Sequence, residues 1–394
     1  MRISRARSKT AVGIIAIIAV LTNNWVGAAA EWVQQNSGTG NLLAAVHFAD
    51  VQVGYAVGFL TVLKTPDGGT TWESMTCPTN QAFVSVFAKS ATDVFVGRNG
   101  LYRSTNGGAS WREIGGFVQD SSIFDVKFTS DTTGYLVQAG RIYRTLDGGD
   151  NWNLVFNSGL FLSAIDTPDA RTIYVTGGIT YDGMTQAHFA RSFDGGTTWE
   201  TVPQPGLSEV TASAWVGPRE GYVFTILSSV FKTTDGGDSW VTINGALGEV
   251  VTDASFRDAQ NGFAVCYSGN ILSTTNGGIA WMVTPASESP LSALARPCGG
   301  TCYAVGNSGR IFKRIAKPEA EKLRIIGLNY NAAIGAVTLN VYSTPCKRYR
   351  IEVSPNLYTW SPVAETVPET SDWQFDISTG GQPLSFYRVV DLQP

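Results

Sequence analysis

Three arginines occupy corresponding places in a repeating sequence: Arg98, Arg141 and Arg310 each follow one short apolar run and precede another. If they converge, their guanidinium groups would bind a carboxylate or phosphate through paired hydrogen bonds; if they scatter, they only solubilise. Tyr181, Asp182 and His188 share one insertion, residues 179–189. An insertion of this kind is where a repeat fold acquires a binding function, or else it is a solvated hairpin extension. Glu209 and Glu249 precede two matching apolar runs, and a carboxylate pair is what glycoside hydrolysis requires. Residues matched by a repeat, however, are first expected to repeat a structural task. The chain has 2 histidines in 394 residues, which disfavours a histidine-based metal site, and no metal or cofactor is expected. Cys298 and Cys302 flank the turn Gly299-Gly300-Thr301, and a local disulfide across it is expected in an oxidising compartment. Cys77, Cys266 and Cys346 are expected to stay unpaired.

These residues must be positioned by a scaffold that the chain declares six times. Thr65-Pro66-Asp67-Gly68-Gly69-Thr70-Thr71-Trp72 is the first copy of a phrase built on Asp or Asn, two glycines and a tryptophan. The others centre on Asn106 with Trp111, Asp147 with Trp152, Asp194 with Trp199, Asp235 with Trp240 and Asn276 with Trp281. Successive acid or amide positions lie 39, 41, 47, 41 and 41 residues apart. A period of this size with four short strands per unit predicts a β-propeller. Within each phrase the Asp or Asn side chain caps backbone N–H groups, glycine supplies positive φ, and the Trp anchors the next strand. These are structural duties, so the phrase is read as a turn staple and not as a reaction centre.

The units predict an all-β fold. Gly54-Tyr55-Ala56-Val57-Gly58 recurs as a second strand in later units, among them Gly221-Tyr222-Val223-Phe224 and Gly262-Phe263-Ala264-Val265, the last time as Tyr303-Ala304-Val305-Gly306. The seventh unit has three strands and no Asp-Gly-Gly turn. Glu31-Trp32-Val33-Gln34-Gln35 resembles the outer strands that follow the other turns, so it is expected to close a seven-bladed ring. Residues 316–322 read as a linker, and 323–394 as a small β-sandwich of fibronectin-III type. A base ends the third strand of six units, at Lys64, Arg103, Arg144, Arg191, Lys232 and Lys313; Ser273 is the exception. This series makes either a positive ring for an acidic partner or, preferably, long stems packed on neighbouring blades.

Residues 1–30 are expected to be a signal peptide. Arg2, Arg5, Arg7 and Lys9 precede an apolar run at 11–21, and Ala28-Ala29-Ala30 suits cleavage. An uncleaved anchor is the alternative, and peripheral membrane association stays open. Without those four bases the balance is 24 Lys and Arg against 32 Asp and Glu, or −8, which disfavours nucleic acid. The reading is an exported protein: periplasmic, secreted or on the cell surface.

All six phrases resemble the Asp-box, or BNR repeat, of sialidases, sortilin-type receptors, some glucan hydrolases and the photosystem II stability/assembly factor family. The order Gly-Tyr-Ala-Val-Gly … Lys-Thr-x-Asp-Gly-Gly-x-Thr-Trp over residues 31–315 is most similar to the last of these. That resemblance implies a propeller that binds protein partners at a membrane surface and has no catalytic residues. A sialidase would need an arginine triad with a Phe/Tyr-Arg-x-Pro segment before the first box, and that segment is absent from the sequence. The stretch 349–360 with Phe386-Tyr387-Arg388-Val389 is similar to C-terminal sandwich modules of exported bacterial proteins. Three functions follow as expectations: a scaffold for a protein partner, a glycan-active enzyme, or a surface adhesin.

Overall fold

The computed structural model describes residues 31–315 apart from 119–120, 182–183, 203, 205–206 and 299–300, and then the segments 324–331, 336–342, 349–354, 359–366, 372–378 and 386–391. By its contacts the chain divides into two compact units, one of residues 30–315 and one that contains 316–394. The segment expected to be a signal peptide, the linker 316–322, Asp182 and Cys346 lie outside the described residues.

Residues 31–315 form seven four-stranded antiparallel sheets. In the first sheet, spatial order is chain order: Leu43–Phe48, Gly54–Gly58, Thr61–Thr65 and Glu73–Ser74. The seventh takes Leu291–Cys298, Thr301–Gly306 and Ile311–Ile315 from the end of the unit and its outermost strand, Glu31–Gln35, from the beginning. Trp32 lies opposite Arg314 there, so backbone hydrogen bonds tie the two ends of the unit together. First strands neighbour one another from sheet to sheet, and that of the seventh lies against that of the first. Second strands are buried along their whole length at Gly54–Gly58, Gly134–Gln138 and Gly221–Thr225, because each is covered on both faces by adjacent sheets. They therefore read as continuous apolar runs, while outer strands such as Glu73–Ser74 are exposed.

The junctions between sheets explain two sequence details. Phe48 stacks on Tyr303, Trp215 on Tyr174 and Phe256 on Tyr222, while Phe128 packs on Phe95, so a first-strand aromatic covers the second-strand aromatic of the preceding sheet. Each covering ring also lies over the glycine that opens its own second strand. A Cβ on Gly54, Gly134, Gly221 or Gly262 would come within 2.5–2.7 Å of that ring. In the second sheet, where the first strand offers Ala88 at this register, the glycine is replaced by Val94. At the four glycine positions the ring takes the space that a side chain would need.

Cys302 packs inside the seventh sheet, which corrects the expected disulfide. It is buried, and its thiol is free. The register sets Cys298 opposite Thr301, so Cys302 falls on the other side of the sheet from Thr301. Cys77 and Cys266 are also free thiols.

The six Asp-boxes are built alike. The Ser or Thr hydroxyl donates to the Asp or Asn Oδ1 and accepts the N–H of the second glycine: Thr65 with Asp67 at 3.0 Å and Gly69 at 2.7 Å, Thr145 with Asp147 at 2.8 Å and Gly149 at 2.9 Å. Ser104, Ser192, Thr233 and Thr274 repeat this at Asn106, Asp194, Asp235 and Asn276. Both glycines of every box have positive φ, from Gly68 at 65° to Gly149 at 93°. Hydrogen bonds from the backbone and then the side chain of Asn151 hold the Asp147 carboxyl down at about 2. Those of Ser239 do the same for Asp235, and Asp67 and Asp194 are lowered by the equivalent donors.

The second unit contains two three-stranded sheets. Arg324–Asn331, Ala336–Tyr342 and Asp372–Ser378 form one; Ser361–Thr366, Tyr349–Ser354 and Phe386–Asp391 form the other. Val337, Leu339 and Val341 of the first share an apolar cluster with Ile351 of the second. Glu352 is buried beside Arg388, whose guanidinium also lies 4.3 Å from the Trp360 ring.

Candidate functional site

The first strands of all seven sheets line one central cavity of about 390 Å³. Its chemistry comes from His47, Asp125, Lys127, Asp166, Asp253 and Arg296. Asp125 and Asp253 occupy equivalent bulged positions, where the register of their strands shifts by one residue. The bulge turns each carboxylate towards the next sheet. Asp125 accepts the Val126 N–H at 2.8 Å and the Ile165 N–H of the next sheet at 3.2 Å. Asp253 accepts the Ala254 N–H at 2.8 Å and the Leu294 N–H of the next sheet at 2.7 Å. Asp166 accepts the Ser213 hydroxyl, again one sheet on, at 2.5 Å.

Burial pushes Asp166 up to about 7 and Asp253 to about 6. Lys127, 3.4 Å from Asp125, is opposed by burial, yet the charges of Asp125, Asp166 and Asp253 win and raise it. His47 is held down at about 3, chiefly by burial and then by Lys127. Its Nδ1 accepts the Ala88 N–H of the second sheet, so the ring is neutral with its proton on Nε2. Each of these carboxylates, and the histidine, is engaged as a clasp between neighbouring sheets. Sequence reading missed this cluster. Its members come from strands about forty residues apart, and the only local signal is an acid interrupting an apolar run, as in Phe124-Asp125-Val126.

The residues singled out from the sequence are not brought together here. None of Arg98, Arg141 and Arg310 lines the central cavity. Arg310 donates from Nη1 to Gln34 Oε1 at 2.7 Å, on the outermost strand, and Arg141 lies opposite Gln138 and Asn157. Arg98 uses its backbone, accepting the Ile123 N–H at 2.5 Å. The insertion at 179–189 is a hairpin, formed by lengthening the second and third strands of the fourth sheet to Ile173–Tyr181 and Met184–Ser192. Tyr181 pairs with Met184 near its tip. His188 is not on a solvated extension: it is buried opposite Gly177, with Nδ1 3.1 Å from the Phe161 N–H. Glu249 is held by Ser268 and Asn270, each at 2.6 Å, and the Glu209 carbonyl accepts the Ile226 N–H. Neither lines the cavity.

The third-strand bases reach the next sheet's Asp-box. Lys313 donates to the Gly68 carbonyl at 2.6 Å, Arg144 to Gly195 at 2.8 Å and Arg191 to Gly236 at 2.6 Å. Arg191 also bonds Asp238 at 2.5 Å and Glu200 at 2.6 Å, while Arg103 bonds Asp93 and Asp150, all at 2.8 Å. In these sheets the base is neither a free positive ring nor a stem with its head in water. It is a bolt between sheets.

Between the sixth and seventh sheets that bolt is missing, and a cleft of about 480 Å³ opens, lined by Trp32, Phe263, Phe312, Arg257, Arg296 and Arg314 among others. Trp32 meets Phe263 edge-on at 5.8 Å, and the Arg314 guanidinium lies 4.9 Å from the Phe263 ring. Among the described residues no group of three His, Cys, Asp or Glu is placed to hold a metal ion, and no helix is long and apolar enough to cross a membrane.

No family model matches the sequence, and no curated protein does either. Solved structures do. YCF48 bound to D1 peptide superposes with a TM-score of 0.61 at 18% identity, covering 76% of this chain and 100% of that one. YCF48 from Cyanidioschyzon merolae gives 0.57 at 17% identity, covering 72% and 98%. The GH74 enzyme of Niastella koreensis gives 0.50 at 14% identity, covering 83% and 66%. At such identities the likeness is one of fold. Repeated four-stranded sheets, six Asp-box turns and these superpositions identify residues 31–315 as a BNR-type β-propeller of the kind seen in YCF48.

Proposed function

We propose that this chain is an exported, non-catalytic scaffold whose seven-bladed propeller, closed by its N-terminal outer strand, binds a protein partner. Residues 323–394 follow it as a β-sandwich module. The observation that carries this reading is the use of the channel carboxylates: Asp125 and Asp253 each accept a backbone N–H of the next sheet, and Asp166 a hydroxyl. Acids used in this way hold neighbouring sheets together, which supports a structural and not a hydrolytic role for the carboxylates that line the cavity among the described residues. A propeller of this fold bound to a peptide supports a protein partner. The basic, apolar beginning of the sequence supports export.

The test pairs two measurements on the full-length protein. Cross-linking in the exported fraction is expected to recover one partner, which should then capture this chain in return. Fluorogenic glycosides are expected to stay intact. Hydrolysis that disappears in Glu209→Gln or Asp182→Asn would refute the scaffold and favour the glycan-active reading.

A further inference from the structure

At six of the seven junctions an Asp-box covers the second-strand aromatic of the preceding sheet. Tyr55, Phe95, Tyr135, Tyr174, Tyr222 and Tyr303 are all 0% exposed beneath the following box or its neighbouring loop. The tyrosine hydroxyls donate to carbonyls there, Tyr303 to Gly68 at 2.6 Å and Tyr135 to Gly195 at 2.8 Å. The sixth sheet departs at every position that would meet a seventh box. Its aromatic is Phe263, which lacks a hydroxyl as Phe95 does but, unlike Phe95, is only half-buried. Ser273 stands where the other third strands carry a base, and Arg296 of the next first strand bonds Ser255 and the Phe256 carbonyl through its guanidinium. No box follows because the seventh sheet takes its outer strand from residues 31–35. The cleft of about 480 Å³ stands where that turn would sit.

Its walls have the chemistry of a box receptor. Trp32, Phe263 and Phe312 supply an apolar floor, and Arg257, Arg296 and Arg314 supply positive charge. Asp258 pairs with Arg257 at 2.9 Å at the edge. At the filled junctions the third-strand bases bind glycine carbonyls and the acids Asp150 and Asp238 of the incoming turn. In this cleft Arg257, Arg296 and Arg314 bring positive charge from other positions in the place of the missing base.

We propose that this cleft is a docking site for an acidic, glycine-containing β-turn of a partner protein, which seats there as the missing seventh box. The proposal rests on the scaffold reading above and places the partner's contact at the junction of the sixth and seventh sheets.

The probe is the chain's own box as a labelled octapeptide, Thr-Leu-Asp-Gly-Gly-Asp-Asn-Trp (residues 145–152), titrated into full-length protein by fluorescence anisotropy. Saturable binding is expected to weaken by about tenfold or more in Arg314→Gln, a loss that corresponds to one charge-assisted hydrogen bond. Similar weakening is expected in Ser273→Trp, which fills the cleft, and with a peptide whose two aspartates are replaced by asparagine. Equal affinity for all variants, or no binding to any, overturns the proposal. Binding that emerges only in Glu319→Gln/Glu321→Gln shows that the chain's own acidic segment fills the cleft, and overturns it too. A recovered partner whose binding survives Arg314→Gln and Ser273→Trp would leave the scaffold standing and remove only this site.

Discussion

Thr145→Val isolates the bond that makes an Asp-box a staple. Thr145 is fully buried, donates to Asp147 Oδ1 at 2.8 Å and accepts the Gly149 N–H at 2.9 Å. Valine has nearly the same shape, so no cavity opens and only the hydroxyl is lost. The buried Gly149 N–H then has no acceptor, a cost of about 1–3 kcal/mol. Asp147 keeps the N–H groups of Asp150 and Asn151 at 3.1 and 3.0 Å, so its loss is smaller. The sum is a destabilisation of about 2–3 kcal/mol. Thr145→Ser keeps the hydroxyl and removes one methyl, for about 1 kcal/mol. Ser104 and Ser192 already do this work in two other boxes. Urea denaturation followed by tryptophan fluorescence measures both variants, with Trp152 reporting from the same turn through its bond to the Gly149 carbonyl at 3.2 Å. If Thr145→Val is no less stable than Thr145→Ser, the hydroxyl is not the staple and the account of all six turns fails.

Asp67, Asp147, Asp194 and Asp235 are lowered by their turns, so the stability they contribute is complete above about pH 4 and lost as pH falls through their lowered folded values, about 2 for Asp147 and Asp235. Asp235→Asn, which makes the box resemble those of Asn106 and Asn276, is expected to flatten the fall in melting temperature between pH 4 and 2. Asp166 has the opposite sign: raised by burial to about 7, it favours the fold below the usual carboxylate value, and this is lost as pH rises through 7. Asp166→Asn should therefore gain in melting temperature relative to the parent between pH 5 and 8, and a constant offset would refute the assignment. Gly134→Ala would place a Cβ 2.7 Å from the Phe128 ring and is expected to cost about 1–3 kcal/mol in urea denaturation. In combination with Phe128→Ala that penalty should vanish, and simple additivity would show that the ring does not impose the glycine.

Much of the fold was legible because it is written in local chemistry. Asp-Gly-Gly turns require positive φ at two glycines, and the absence of a seventh turn pointed to residues 31–35, which do pair with Ile311–Ile315. The candidate sites were not legible in the same way. Arg98, Arg141 and Arg310 share a place in the repeat, but that place does not reach the central cavity, and the expected disulfide fell to the packing demand on Cys302.

By itself the sequence determined the turns, their period and the runs that become strands, because each depends on contacts within a few residues. Only the tertiary structure decided what Asp125, Asp166, Asp253 and the third-strand bases do, because their partners lie in the adjacent sheet, about forty residues away. It also decided that Phe263, Ser273 and Arg296 border one cleft. A repeat fixes what every unit has in common; a departure from it acquires meaning only where neighbouring units meet.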